Sequence, residues 1–98
     1  MLRIERSTNG QVVFTLSGRM QTEDIEQFQQ LLIVETPGQP LMFNLRDVTL
    51  VNQDAVTFLD RCEANGIKIE NCPLYIRNWI DQEKRRTRRR RRQKKDTT

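Results

Sequence analysis

Residues 41–66 read LMFNLRDVTLVNQDAVTFLDRCEANG, a strand that runs directly into a helix. Leu41, Met42, Phe43 and Leu45 are spaced for a strand buried on both faces; Arg46 and Asp47 interrupt it, and Val48 to Val51 resume it. Ala55, Val56, Leu59 and Cys62 then recur at three- and four-residue steps and so share one helical face. Asn52 suits the N-cap, because its short side chain can accept from the free amides of the first turn. Gly66 suits the stop, because it can adopt a left-handed conformation. The corner between Val51 and Ala55 therefore falls at a helix N-terminus on the edge of a sheet.

Upstream, Leu2 and Ile4 alternate with Arg3, Glu5 and Arg6, the period of a half-exposed strand. Asn9-Gly10 suits a type I′ turn, and Gln11 to Ser17 supplies Val12, Val13, Phe14 and Leu16, so the first seventeen residues predict a hairpin. Gly18 is expected to end the second strand. Thr22 is the expected cap of a helix with Glu23 and Asp24 in its first turn and Ile25, Phe28, Leu31 and Leu32 on its apolar face. Glu35 closes that helix before the proline- and glycine-containing run 36–40. Downstream, Ile67 to Glu70 alternates as a short strand. Asn71-Cys72-Pro73 reads as a turn, with Pro73 at the first position of a helix carrying Leu74, Ile76, Trp79 and Ile80.

The order strand, strand, helix, strand, helix, strand, helix predicts one α/β domain, with a hairpin joined to parallel strands through right-handed crossovers. Charge divides the chain. Residues 84–98 hold ten of the 17 basic side chains and one acid, a charge of +9, which leaves −5 on residues 1–83. From Lys84 onward there is no apolar residue. The expected division is a domain over 1–83 and a basic tail over 84–98, disordered alone or frayed helix.

No stretch is apolar enough to cross a bilayer, the N-terminus lacks the apolar core of a signal peptide, and the expected location is cytoplasmic. Cys62 and Cys72 are then reduced, packed or half-exposed thiols. With no histidine and no third cysteine in the chain they cannot form a four-ligand zinc site. The absence of histidine also removes the commonest general base, and no glycine-rich phosphate loop occurs, so neither enzyme activity nor a cofactor is expected. The close acidic pairs, Glu23 with Asp24 and Asp60 with Glu63, sit where helices show solvated faces. Tyr75 and Trp79, four apart, read as core positions or as a ligand box, the former by ordinary helix patterning.

VFTLSGRM (residues 13–20), a capped helix, the apolar run LMFNLRDVTLV (41–51) and the corner Asn52-Gln53-Asp54-Ala55 together resemble the STAS domain of bacterial anti-sigma factor antagonists. The pattern covers roughly residues 1–82 and is short for the family at its C-terminal end. The resemblance implies a four-stranded mixed sheet with three helices and a protein partner of the anti-sigma factor or kinase type. In that family a corner serine or threonine is phosphorylated and switches partner binding. Here the aspartate of the family corner falls on Asn52, the phosphorylated hydroxyl on Gln53, the next hydroxyl on Asp54 and the glycine on Ala55. The expected corner therefore binds without that switch, through Asn52, Gln53, Asp54 and Thr57, with Asp54 as a fixed negative charge. The same residues also suit a plain helix start.

The basic run offers a second function. Lys84, Arg85, Arg86, Arg88, Arg89, Arg90, Arg91, Arg92, Lys94 and Lys95 could hold RNA, DNA or an anionic membrane face by neutralising phosphates, or could serve as a solubilising tail. The run has no aromatic residues for stacking on bases, which argues against sequence-specific single-strand recognition.

Overall fold

A computed structural model describes residues 2–8, 10–35 and 38–96, and of residues 87–96 the backbone alone. Seven elements follow in the order β1 (Leu2–Thr8), β2 (Val12–Met20), α1 (Thr22–Ile33), β3 (Leu41–Val51), α2 (Gln53–Ala64), β4 (Lys68–Glu70) and α3 (Leu74–Asp96). One four-stranded sheet has the order β1-β2-β3-β4. β1 is antiparallel to β2, and β2, β3 and β4 are parallel. The sheet is mixed, as the sequence predicts.

Both crossovers step in the same direction across the sheet, so right-handed connections place α1 and α2 on one face. A single apolar cluster accordingly takes Val12, Phe14 and Leu16 from β2, Phe43 and Leu45 from β3, and residues from all three helices. Its centre is aromatic: the Phe28 ring lies 5.4 Å from Phe14, 4.9 Å from Phe43 and 5.7 Å from Phe58, centroid to centroid. Edge-on and tilted pairs at such separations add to the area they bury. The opposite face carries Val13, Thr15, Ser17, Met42 and Asn44, half-buried by their neighbours within the sheet. β3 is therefore buried on one face, not two.

Nor does β3 break at Arg46 and Asp47. It absorbs them as irregularities: Thr15 pairs with Asn44 but Ser17 with Asp47, and Gly18 pairs with Val48 but Arg19 with Leu50. Each shift sets an extra β3 residue against β2, as a bulge does. Asn44 Oδ1 accepts from the Arg46 amide at 3.0 Å, and the Thr49 hydroxyl donates to the Gly18 carbonyl at 3.2 Å. The inward residues are consequently Phe43, Leu45, Val48 and Val51, whose spacing changes from two to three. Gly18 does not end β2. It lies within the strand at φ 91°, a conformation that favours glycine, beside the second shift.

Smaller departures have local causes. Thr8 pairs with Val12, so the hairpin loop has three residues and not the two of a type I′ turn; Asn9 lies outside the described residues, as do Thr36 and Pro37. The cap of α1 is Gln21, whose backbone N–H donates to Asp24 Oδ2 at 3.0 Å, and Thr22 is the first helical residue. Leu31, expected on the apolar face of α1, is 42% exposed. α2 ends as expected, with Gly66 at φ 97° and Ile67 donating to the Cys62 carbonyl. α3 begins at Leu74, with the Pro73 carbonyl accepting from Ile76 and Arg77. It continues through Asp96, the helical one of the two expectations for the residues beyond Glu83. Arg, Lys and Gln favour helix, and no Gly or Pro interrupts that run.

Candidate functional site

Met20 pairs with Val51, so β2 and β3 finish side by side and deliver two helix starts to the same place. Open α/β sheets bind ligands and partners outside the carboxyl ends of their parallel strands. Asn52 caps α2, its Oδ1 accepting from the Ala55 amide at 3.0 Å. Its Nδ2 donates to Thr22 Oγ1 at 3.1 Å, and that hydroxyl donates to Asp54 Oδ2 at 2.7 Å. The Thr22 hydroxyl therefore both accepts and donates, and it ties the first turn of α1 to the first turn of α2.

Gln53 is held from the other side. Its Nε2 donates to Glu83 Oε2 at 2.8 Å and lies 3.4 Å from Thr57 Oγ1, while Trp79 Nε1 donates to Gln53 Oε1 at 3.4 Å. Both ends of the amide are engaged, which fixes its orientation. The four expected corner residues, Asn52, Gln53, Asp54 and Thr57, thus belong to one surface, with Gln53 and Asp54 exposed. Thr22, Trp79 and Glu83 join them. Thr22 had a local reading as a cap, and its partners lie 30 and 32 residues away; only the shared end of two parallel strands could have pointed to it.

The fold also alters the reading of α2. Asp60, expected on a solvated face, is 7% exposed. Glu63 accepts two hydrogen bonds from Arg77, at 2.8 and 2.7 Å, and pairs with Lys84. Arg77 reaches Asp81 as well, at 2.9 Å. The Arg77 hydrogen bonds, opposed by burial and assisted by Lys84, hold the Glu63 carboxyl down at about 2. Arg77 is correspondingly raised. This network joins α2 to α3 and includes none of the corner residues. Tyr75 is not core: it is 48% exposed and donates to the Thr49 carbonyl at 2.5 Å, fastening α3 to the end of β3.

The two cysteines are free thiols, and burial pushes Cys62 up to about 12. Among the described residues no group of three His, Cys, Asp or Glu could hold a metal, and no helix is long and apolar enough to cross a membrane. A shallow groove between β1 and α1 is lined by Ile4, Arg6, Phe14, Leu31, Val34 and Glu35, away from the corner. At its lip Arg6 donates to both Glu35 oxygens, at 2.8 and 3.0 Å, which holds that carboxyl below its usual range.

Of the basic run, Lys84 is paired with Glu63, and Arg86 lies 3.8 Å from Glu83. Arg85 is exposed. The side chains of Arg88, Arg89, Arg90, Arg91, Arg92, Lys94 and Lys95 lie outside the described residues, as does Thr97-Thr98 entirely.

No protein-family model matches the chain, and no curated protein matches it in sequence. A solved structure does match in fold: the crystal structure of an uncharacterized protein of the DUF3478 family with a SpoIIAA-like fold, from Shewanella loihica PV-4. The two superpose with a TM-score of 0.53 at 15% identity, over 69% of this chain and 64% of that one, so this chain spans under two thirds of its neighbour's length. The fold is thus SpoIIAA-like.

Proposed function

We propose that the chain is a non-enzymatic interaction module of the anti-sigma factor antagonist type, docking a regulatory protein at the corner formed by Thr22, Asn52, Gln53, Asp54 and Thr57. The observation that carries this reading is the Thr22 hydroxyl held between Asn52 and Asp54. It fixes two helix starts as one exposed polar surface before any partner arrives, which lowers the ordering cost of docking. The SpoIIAA-like fold is consistent with it, and the sequence resemblance to anti-sigma factor antagonists is what implies a protein partner. The lack of histidine and of a phosphate loop supports a role without catalysis or cofactor. Gln53 stands where the family carries its phosphorylated hydroxyl, so Asp54 supplies constant charge and the contact is not switched there.

The test is capture of partners from source-cell lysate by the full chain, by Asp54→Lys and by Glu26→Lys, an exposed α1 control. The reading expects a salt-resistant partner retained by the wild type and the control and lost from Asp54→Lys. Equal capture by all three sinks it. A second reading is favoured by the unbroken continuation of α3: the basic run acts as an arm that holds a polyanion. Contacts to phosphates weaken log-linearly with salt, whereas a polar corner interface does not, and this separates the two.

A further inference from the structure

The geometry points to double-stranded DNA as the polyanion, with the arm of α3 seated as a helix in the major groove. This rests on the second reading above, that residues 84–96 bind polyanions at all.

Residues 84–96 are helical, and at 100° per residue the cationic positions 84, 85, 86, 88–92, 94 and 95 fall at every bearing around the axis, with Asp96 the single acid. A helix that lies on a flat anionic surface uses one side only. One that lies at a membrane interface also needs an apolar face, and this run has no apolar residue. Cationic positions spread round the axis match an anion that meets the helix on more than one side, which a groove walled by two phosphate rows does. The B-form major groove, about 12 Å wide, admits a helix of about 10–12 Å diameter. The RNA major groove is deep and narrow, and single strands are held by aromatic stacking that the run cannot supply.

The anchoring of the arm fits this placement. Lys84 pairs with Glu63 on α2, which fixes the base of the arm on the domain, and Arg86 lies near Glu83 on α3 itself. Arg85 is exposed, and the sequence beyond it supplies Arg88 to Arg92, Lys94 and Lys95 as further phosphate contacts. The charge of −5 on residues 1–83 keeps the domain off the duplex while the arm engages it.

The experiment titrates the full chain, Arg90→Gln and Arg90→Pro against random-sequence duplex DNA, duplex RNA, single-stranded DNA and phosphatidylserine vesicles over a range of salt. Both substitutions remove one charge, and only proline breaks the helix. The expected result is tightest binding to duplex DNA, with a log–log salt slope of about −4 to −7 for up to eight contacts. Arg90→Pro should bind the duplex at least about tenfold more weakly than Arg90→Gln. Equal binding by the two variants, or single strands, duplex RNA or vesicles bound as tightly as duplex DNA, overturns the groove placement and leaves the polyanion reading standing. Failure to bind any of the four overturns both.

Discussion

The two halves of α3 share a backbone conformation and little else. From Leu74 to Glu83 the helix buries Ile76 and Ile80 completely, lays Trp79 against the corner and pairs Arg77 with Glu63 and Asp81. From Lys84 to Asp96 it has no apolar side chain to bury. The first half is helical because packing fixes it; the second continues because its residues favour helix and nothing stops them. Lys84, paired with Glu63, marks the junction. One element thus carries core residues in one half and only polar and charged residues in the other.

The contrast is broken most directly by removing core volume from the packed half. Ile80→Ala leaves a cavity beneath α3 and should cost about 2–5 kcal/mol, read as a lower urea midpoint with unchanged slope. A comparable loss from Arg90→Ala would show that the arm belongs to the packed fold after all. Arg77→Met ranks next. It strips Glu63 of two hydrogen bonds while keeping the length of the stem, and should cost about 1–2 kcal/mol.

Acid sharpens the same comparison without mutation. The Glu63 carboxyl is lowered in the folded state from 4.5 to about 2, so its contribution is complete above the unfolded value and is lost as pH falls from 4.5 toward 2. Screening at a partly exposed site limits the loss to about 1 kcal/mol. Glu35, lowered by Arg6, acts in the same direction. The urea midpoint of the wild type should fall over that window more than that of Arg77→Met; parallel curves would show that Arg77 is not the cause.

Element order, strand directions and the joining of corner residues were legible because they rest on local periodicity and on the handedness of crossovers. Less legible were features set by neighbours distant in sequence. Arg46 and Asp47 looked like a break because a polar pair interrupts apolar alternation, yet two register shifts against β2 carry the strand through. Asp60 looked solvated on its own helix and is covered in the fold. Thr22 looked like a cap; its role as a tie depends on which strands finish side by side, and no window of sequence contains that.

The smallest effect is expected at the arm, and it carries the comparison furthest. Arg90→Pro breaks an interior helical turn, a change that costs about 3 kcal/mol or more in a packed helix. Here the turn lies beyond Lys84, the last of the described side chains of α3 to pair with α2, so the unfolding midpoint should stay within about 0.5 kcal/mol of the wild type. Circular dichroism should nevertheless lose helix signal beyond residue 90. A stable domain with a shorter helix would confirm that the arm is helical by propensity alone. A midpoint that drops with the helix would mean that the break travels back through Lys84 and Glu63 into the packed half, and that the two halves of α3 fold as one.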